Sequence, residues 1–290
     1  MASEPGSHSA EPNASPTADS STEQISPDFA SAESASWQAD EWRLLDLSSP
    51  DSFENMAIEE AVLHAVGRGD APPTLRLWQN DNAVIIGYFQ SASQEADLDA
   101  CRANNTAVVR RLSGGGAVYH DAGNVNYSLF IPERDPRVGG PVLESYRALC
   151  QGVILGLADL GFAAQFAPIN DVAVGDLKVS GTAQTRRFRA VLHHGTLMLD
   201  VSLDVMGRVL RIHPEYLAAK GVTELAARVS TLKRLGREVS VAEAKSAIAD
   251  GYARSLGVRF RSADLTPAEK TQAAQLLAER YHRPEWNLSR

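Results

Sequence analysis

Apolar residues with strand-like and helix-like spacing begin near Trp42 and continue almost to the end of the chain. The run WRLLDL predicts a first strand, and NMAIEEAVLHAVGRG predicts a helix that ends at a glycine. The runs TLRLWQN and NAVIIGYFQ follow, and the turn-forming residues Asn80, Asp81 and Asn82 between them predict a β-hairpin. A second helix is predicted over SQEADLDACRANN. The N-terminal part of the folded chain is therefore expected to mix strands and helices.

The second half of the chain contains one strongly patterned helix and then a series of strands. The run ESYRALCQGVILGLADLGF has apolar side chains at helical spacing, namely Tyr146, Leu149, Val153, Leu157 and Leu160. AVVRR and NYSLFIP before it predict strands around a glycine-rich loop, and DVAVGDLKVSGTAQTRRFRAVLHHGTLMLDV after it predicts an antiparallel meander. Later helices are predicted over VAEAKSAIADGYARSLG and PAEKTQAAQLLAERY. This order predicts an α+β fold, with residues 43–290 as one domain.

Residues 1–42 differ in composition from the rest of the chain. They are rich in Ser, Ala and Pro and contain eight acidic residues but no Lys or Arg. A segment with so few apolar residues cannot offset the entropy of ordering, so we predict a disordered tail. Those eight acids equal the net charge of -8, which leaves residues 43–290 neutral overall. The sequence therefore lacks the net basic face that is typical of nucleic-acid binding.

Hydropathy and cysteine content restrict the function further. No stretch approaches the roughly 18 consecutive apolar residues of a membrane span. The N-terminal segment has neither a signal-peptide core nor the arginines of a transit sequence, so we predict a cytoplasmic protein. Cys101 and Cys150 are the two cysteines, too few for a disulfide framework or a cysteine-rich metal site.

The run RRLSGGGAVYHD gives the strongest local indication of chemistry. Adjacent glycines let the backbone N–H groups approach a ligand closely, and paired arginines offer forked donors to phosphate or carboxylate. The run is neither a Walker loop nor a dinucleotide-binding fingerprint, and a flexible surface turn is the alternative interpretation. The candidate substrate-binding residues here are Arg110, Arg111, Ser113, Gly114, Gly115, Gly116, Val118, Tyr119 and His120.

A second segment, GDLKVSGTAQ, places Lys178 in a strand-like run ahead of small, turn-capable residues. An isolated lysine is usually a solvated surface charge, and from the residues alone that interpretation stays open. The candidate substrate-binding residues that follow the lysine are Gly181, Thr182 and Ala183.

A third segment contains the adjacent histidines His193 and His194. Neighbouring side chains on a strand point to opposite faces, so the two rings would not chelate one metal together, and we predict no metal site within the protein. One histidine in the core and one exposed is the alternative to a functional role. The candidate binding residues of this segment are His194, Gly195 and Thr196.

Together, these three segments resemble the catalytic domain of the lipoate-protein ligases, within the biotin/lipoate ligase superfamily. RRLSGGGAVYHDAGNVNYS is similar to the lipoate-binding loop of that family, INDVAVGDLKVSGTAQ to its catalytic-lysine segment, and HHGTLMLDV follows at the usual interval. Weaker similarities lie in NMAIEEAVL, VIIGYFQ, AAKGVTELAARVSTL and YHRPEWN. The resemblance covers residues 43–290 and implies a class II ligase-like α+β fold, with a mixed, mostly antiparallel sheet flanked by helices.

The resemblance also implies a two-step reaction. Lipoate or octanoate would attack the α-phosphate of ATP, with Mg²⁺ accompanying the nucleotide, and a carrier lysine would attack the resulting acyl-adenylate. Lys178 would be the catalytic ammonium, Arg110 and the loop Gly114–Gly116 would close over the acyl chain, and Asn170 and Asp171 would contact nucleotide or Mg²⁺. The implied partner is a lipoyl carrier domain or a protein like the glycine cleavage H protein.

Three other interpretations remain open. Ligases of this type often carry a small C-terminal domain, and because the chain stops near Trp286 a separate accessory subunit is expected. An octanoyl- or lipoyltransferase of the same fold would need a thiolate, but FAPINDVAVGDLK, ahead of the lysine, has no cysteine, and we interpret Cys101 and Cys150 as structural. A non-catalytic acyl-binding protein would have no chemical reason to keep Lys178.

Overall fold

A computed structural model describes residues 37–211 and 228–289. In those ranges the strands are β1 Glu41–Asp46, β2 Thr74–Trp78, β3 Asn82–Ile86, β4 Ala107–Arg110, β5 Val118–Asp121, β6 Asn124–Pro132, β7 Ala164–Ala167, β8 Asp171–Val174, β9 Leu177–Arg187, β10 Ala190–Met198 and β11 Arg259–Ser262. The helices are α1 Ser52–Arg68, α2 Ala92–Glu95, α3 Leu98–Ala103, α4 Val142–Asp159, α5 Leu203–Val209, α6 Val241–Leu256, α7 Pro267–Leu276 and α8 Pro284–Asn287. A 3₁₀ turn covers Pro136–Val138, and a π-helical turn, Leu277–Tyr281, continues α7.

The main sheet has the strand order β11-β1-β2-β6-β10-β9-β8-β7. Strand β1 pairs in parallel with β2 and β11, and the other neighbours are antiparallel. Strands β8, β9 and β10 form the predicted antiparallel meander, which is confirmed, and β7 extends it at the edge. A second sheet has the order β4-β3-β5. Sheets flanked by helices confirm the predicted α+β class.

The main hydrophobic core lies between one face of the large sheet and the helices α4 and α6. Leu149, Val153 and Leu157, which belong to the stripe predicted for α4, are buried in it. Leu75 of β2 and Tyr127 of β6 contribute to the same core from the sheet side. Because this face is filled by apolar packing, any site on the sheet must lie on its other face.

Helix α1 covers part of that other face. It is capped at its start by Asp51, whose carboxylate accepts a hydrogen bond from a backbone N–H of the first turn, and at its end by Gly69, whose φ is 83°. Val62 of this helix shares a second core cluster with Phe130 of β6 and Leu192 of β10. The helix predicted over NMAIEEAVLHAVGRG is confirmed and lies directly on the central strands.

The predicted domain boundary at residue 42 is too late by a few residues. Strand β1 begins at Glu41, where it pairs with Arg259, and Trp42 is buried with its ring edge-on to Phe260. Trp37 already lies under the guanidinium of Arg261, 3.8 Å from the ring centroid. Strand β11, which the sequence pattern did not predict, recruits these residues into the fold. Residues 1–36 of the predicted tail lie outside the described residues.

The predicted hairpin between β2 and β3 is wrong. Strand β2 pairs with β1 on one side and β6 on the other, so both of its edges are occupied, and β3 instead lies between β4 and β5. Asn80 of the connection is buried, and its side chain hydrogen-bonds Asn55 and His120. The connection therefore joins two sheets instead of two neighbouring strands.

The helix predicted over SQEADLDACRANN is divided into α2 and α3. Ala96 forms a β-bridge with Leu210 between them, and the Asp97 carboxylate caps α3 by accepting a hydrogen bond from the backbone N–H of Ala100 at 2.9 Å. A capping aspartate requires an extended backbone, which explains the break. In the described part of the chain, no helix is both long and apolar enough to cross a membrane.

A buried ion pair joins the first strand to a helix from the end of the chain. Arg43 donates to both carboxylate oxygens of Glu269, at 2.8 and 2.6 Å, and to the hydroxyl of Thr74 at 3.0 Å. Both charged side chains are almost completely inaccessible to solvent. Such a pair holds β1 and α7 together but would leave a costly unpaired charge if one partner were removed.

We expect Arg43→Met to lower the free energy of unfolding by about 3 kcal/mol, because the Glu269 carboxylate then stays buried without its guanidinium. The double variant Arg43→Met/Glu269→Gln should recover part of that loss, since Gln is neutral there. Urea unfolding of both variants measures the difference. Equal losses in the single and double variants would show that the unpaired Glu269 carboxylate is not the cause of the destabilisation.

Candidate active site

A cavity of about 400 Å³ lies between the open face of the main sheet and the second sheet with its glycine-rich loop. Its apolar lining comes from Met56, Trp78, Ile85, Ala117, Val118, Tyr119, Met198, Met206, Leu210 and Val229. Its polar and glycine lining comes from Gln90, Glu95, Arg111, Gly115, Gly116, His120, Asn126, Asn170, Asp171, Lys178, Gly181, Thr182, His194, Gly195, Thr196 and Arg211. Ala183 completes the wall. A cavity of this composition suits a ligand with an apolar part and an anionic part.

A row of five paired residues crosses the floor of the cavity, one from each of five neighbouring strands. The register pairs Asp171 with Gly181, Gly181 with Thr196, Thr196 with Asn126, and Asn126 with Trp78. Directly paired residues project on the same side of a sheet, and all five line the cavity. We call these five residues the cavity row. It is charged at the Asp171 end and aromatic at the Trp78 end.

Lys178 joins the charged end of the cavity row through an irregularity in β9. The pairing of β8 with β9 shifts by one residue between Val172 and Ala173, so that Val179 is an extra residue. In a regular strand, Lys178 and Gly181 are three residues apart and would point to opposite faces. With the bulge, both face the cavity, while Val179 is buried in the main core.

The Lys178 side chain crosses directly over Gly181. A Cβ atom at position 181 would lie 2.6 Å from Lys178 Nζ and 2.7 Å from its Cε, closer than non-bonded atoms can approach. The glycine three residues after the lysine is therefore needed for space. This explains why the lysine segment is followed by small residues.

Lys178 shares one buried carboxylate with an arginine. Asp171 Oδ1 lies 2.8 Å from Lys178 Nζ, and Asp171 Oδ2 accepts a hydrogen bond from Arg228 Nη2 at 2.7 Å. The Lys178 backbone N–H donates to the Arg228 carbonyl, and its carbonyl accepts from the Ser230 N–H, both at 2.9 Å. The Asp171 side chain is only 4% exposed. Two cations against one carboxylate leave a net positive charge at this end of the cavity.

Arg111 organises the glycine-rich loop from inside. Its guanidinium donates to the carbonyls of Gly114 at 2.7 Å and Gly116 at 2.9 Å, and to the carbonyl of Ile85 at 3.0 Å. Gly115 has a φ of 92°, which favours glycine over residues with a side chain. Burial lowers the pKa of Arg111 to about 10, so the group remains charged at neutral pH. The arginine fixes the loop that forms one wall of the cavity.

A chain of hydrogen bonds connects this loop to α1. Arg111 Nε donates to Ser113 Oγ at 3.0 Å, and Ser113 Oγ lies 2.6 Å from His194 Nε2. His194 Nδ1 lies 3.1 Å from both carboxylate oxygens of Glu59, which also accepts from the hydroxyl of Ser128. Burial alone would raise the pKa of Glu59, but His194 and Ser128 hold it below its ordinary value. These hydrogen bonds therefore connect the ionised, buried Glu59 to the cavity wall.

The two adjacent histidines point to opposite faces as predicted, but neither is exposed. His194 faces the cavity and is 8% exposed, whereas His193 lies in the core with its ring edge-on to Tyr146. Burial lowers the pKa of His193 to about 3, which keeps the ring neutral. The alternative interpretation, with one histidine exposed, does not hold, because α1 and the glycine-rich loop cover the outer face of the sheet.

Comparison with known proteins decides the family. The family model described as "Lipoyl protein ligase A/B catalytic domain" matches residues 51–253. The chain belongs to this family. Curated relatives include an "Octanoyltransferase LipM" from Symbiobacterium thermophilum, 38% identical over 85% of this chain and 98% of the relative. "Lipoate-protein ligase A subunit 1" from Thermoplasma acidophilum is 32% identical over 86% of this chain and 97% of the relative.

Solved structures agree with this family and its fold. A bi-partite lipoate protein ligase from Thermoplasma acidophilum, described with its E2 lipoyl domain, superposes with a TM-score of 0.77 at 33% identity, covering 86% of this chain and 98% of that one. A lipoate-protein ligase A bound with ATP gives a TM-score of 0.75 at 30% identity, covering 86% of this chain and 98% of the other. The class II biotin/lipoate ligase fold predicted from the sequence is confirmed.

Most of the residues predicted for the site of this family member do line the cavity. From the glycine-rich run these are Arg111, Gly115, Gly116, Val118, Tyr119 and His120. From the other segments they are Asn170, Asp171, Lys178, Gly181, Thr182, Ala183, His194, Gly195 and Thr196. Ser113 and Gly114 do not line it, because the first is buried against His194 and the second contributes its carbonyl to Arg111.

Arg110 does not lie in the cavity, and its predicted closure over an acyl chain is wrong. The residue is 2% exposed, and its guanidinium donates to the backbone carbonyls of Gly87, Tyr88, Gln90, Trp286, Asn287 and Ser289. Consecutive strand residues point in opposite directions, so only one of the two arginines can face the cavity. Arg110 instead fastens the chain around α8 to the loop before α2.

Sequence reasoning missed three residues of the site: Glu59, Asn126 and Arg228. Glu59 and Arg228 lie in NMAIEEAVL and AAKGVTELAARVSTL, two segments whose similarity to the family is weaker. A glutamate on the buried side of an apolar helix is a detectable signal for Glu59. Asn126 lies among the alternating residues of β6, where the pattern does not distinguish a cavity from solvent.

We expect Gly181→Ala to displace the Lys178 ammonium, because the added methyl group would occupy the position of the lysine side chain. A displacement of about 1 Å can cost about a hundredfold in rate, and we expect a loss of that size in acyl transfer to a carrier lysine. Gly207→Ala in α5, where a methyl group meets no atom within 4 Å, is the matched control. Unchanged transfer by Gly181→Ala, with a normal circular dichroism spectrum, would contradict the assigned position of the lysine.

Proposed function

We propose that this chain converts lipoate or octanoate into an acyl-adenylate with ATP and then transfers the acyl group to a lysine of a carrier domain. The observation that carries the proposal is the position of Lys178 and Arg228 beside Asp171, at the charged end of a cavity whose far end is apolar. An acid with an alkyl chain fits this polarity. Its carboxylate would lie beside the cations and its chain along the cavity row.

The positive end of the cavity suits both chemical steps. In the first, a carboxylate oxygen of the acid attacks the α-phosphorus of ATP and the bond to pyrophosphate breaks. In the second, the carrier amine attacks the acyl carbon, loses a proton, and the bond to AMP breaks. Negative charge grows on phosphate oxygens in the first step and on the carbonyl oxygen in the second. A fixed ammonium in a site shielded from water stabilises such charge without reorganisation.

Mg²⁺ is assigned to the nucleotide and not to a protein site. Asp171 is the carboxylate nearest to Lys178, and both of its oxygens already contact cations. Asn170 donates its amide N–H to the carbonyl of Thr182. These residues do not form a ready divalent-cation site, so no step of the mechanism passes through one. Mg²⁺ would enter with the phosphates that it prefers as ligands.

The alternative function is an octanoyl- or lipoyltransferase that works through a cysteine thioester. It is supported by the names of several relatives, which are octanoyltransferases. The cysteines here are poorly placed for it. Cys150 is completely buried, with Sγ 3.9 Å from the hydroxyl of Thr182, and burial raises the pKa of its thiol to about 12. Burial also raises the pKa of Cys101, and neither cysteine lines the cavity. A thiolate nucleophile is therefore disfavoured, which supports the ligase.

The proposed acceptor is a lipoyl carrier domain or a protein like the glycine cleavage H protein. The Thermoplasma acidophilum relative is described as a bi-partite ligase with an E2 lipoyl domain, and the present chain covers 98% of that structure's chain. By analogy, we propose that activation by ATP involves a small accessory subunit. Transfer from a preformed acyl-adenylate would depend on the cavity described above.

We expect Lys178→Ala to slow transfer from supplied lipoyl-adenylate to a lipoyl domain by about a hundredfold, because one charge-stabilising donor is lost. Stability should change by no more than about 1 kcal/mol, since Asp171 keeps Arg228 as its partner. Lys245→Ala is the matched control, because Lys245 also forms an ion pair, 2.6 Å from Asp46, but does not line the cavity. Failure of the unmodified protein to use lipoyl-adenylate would contradict the proposal, as would near-normal transfer by Lys178→Ala.

The double variant Cys101→Ser/Cys150→Ser should transfer from lipoyl-adenylate at close to the rate of the unmodified chain, because neither thiol takes part. Mass spectrometry after incubation with an octanoylated carrier tests the alternative directly. An acyl group found on either cysteine and removed by hydroxylamine would identify a thioester-forming transferase.

A further inference from the structure

The apolar end of the cavity contains an amide without a partner. Asn126 is 1% exposed, and neither its Oδ1 nor its Nδ2 forms a hydrogen bond within the described part of the chain. It belongs to the cavity row and lines the cavity between Thr196 and Trp78. A buried amide that makes no hydrogen bond destabilises the empty protein. A ligand that reaches this end of the cavity can supply the missing partner.

A second polar group at this end has a fixed proton position. Asn55 Oδ1 accepts hydrogen bonds from Arg76 and from the backbone N–H of Ser49, so its Nδ2 must be the group that donates to Asn80 Oδ1 at 2.9 Å. Asn80 Nδ2 is then left to donate to His120 Nδ1 at 3.1 Å. Burial lowers the pKa of His120 to about 3, so the ring is neutral. Its single proton is on Nε2, which makes the cavity-lining His120 a hydrogen-bond donor.

The distance between Gly181 and Asn126 of the cavity row matches the length of a medium-chain acid. Asn126 and Gly181 are separated by two strand spacings, or about 10 Å. Lys178 Nζ lies directly over Gly181. With C–C bonds of about 1.5 Å, an extended eight-carbon acid is about 9 Å long. An acid whose carboxylate lies beside Lys178 would therefore place its last carbons at Asn126.

We propose that Asn126, assisted by His120, selects acids that carry a hydrogen-bond acceptor near the end of the chain, such as the ring sulfurs of a dithiolane. A plain alkyl end leaves the amide unpaired when water is displaced, whereas sulfur is a weak acceptor and satisfies it partly. Met56 and Trp78 surround the same end and give a polarisable sulfur-containing ring favourable contacts. The inference rests on the proposed function for the placement of the carboxylate, and it assigns lipoate over octanoate as the preferred acid.

A pair of ligands that differ only in sulfur tests this selection. Lipoate and 5-cyclopentylpentanoate have nearly the same shape, but the second has carbon in place of both ring sulfurs. We expect the full chain to bind lipoate about fivefold more tightly in isothermal titration calorimetry, the size of one modest hydrogen bond. Equal affinities for the two acids would overturn the proposal without any variant being made.

Asn126→Leu, which keeps the size of the side chain but removes its polar atoms, should abolish that preference by strengthening binding of the cyclopentyl acid and weakening that of lipoate. Met198→Leu at the same cavity is the matched control, since it should change both affinities by the same factor. A retained fivefold preference in Asn126→Leu would also overturn the proposal. The titrations need neither ATP nor a carrier, so a chain that shows the preference but does not transfer the acyl group from supplied lipoyl-adenylate to a lipoyl domain would contradict the proposed function alone.

Discussion

The contact on which this site depends is a single buried carboxylate held between two cations. Asp171 fixes Lys178 from the same sheet and Arg228 from a later segment, and it leaves one positive charge uncompensated. Two cations could not stay this close in a shielded place without it, because desolvation and mutual repulsion both oppose them. The excess charge is then available to an anion that enters the cavity. Binding of a carboxylate or phosphate would restore the electrostatic balance that the empty site lacks.

The two faces of the main sheet do different work. One is filled by the apolar side chains of α4 and α6, which gives a rigid platform, and the other carries polar residues that α1 and the second sheet enclose. Because α1 and the second sheet cover this face, the alternating polar positions of β6 and β10 form an enclosed site instead of a solvated surface. Ser128 of β6 and His194 of β10 are examples, because both are buried polar groups whose hydrogen-bond partner, Glu59, lies on the covering helix α1.

The sequence predicted elements better than it predicted pairings or directions. Periodicity predicted α1, α4 and the meander, because each has a strong local pattern. It wrongly placed β3 beside β2, because a local pattern does not show that both edges of β2 are occupied by β1 and β6. The motif residues near Lys178 were predicted from the resemblance of their segment to the lipoate-protein ligases. The bulge at Val179 points the lysine into the cavity, and three-dimensional pairing sets both this bulge and which of Arg110 and Arg111 faces the cavity. Neither feature has a signature in composition.

The backbone carbonyls that surround Arg110 affect the order in which the contacts of the fold can form. Its contacts with the chain at 286–289 join residues up to 179 positions apart, so they are among the slowest to form by chain diffusion. The loop Gly87–Gln90, which the same guanidinium holds, lies beside the cavity and is made early in synthesis. A nascent chain therefore contains Lys178 before it contains residues 286–289, and the loop Gly87–Gln90 gains its full set of Arg110-linked contacts only once those later residues are available.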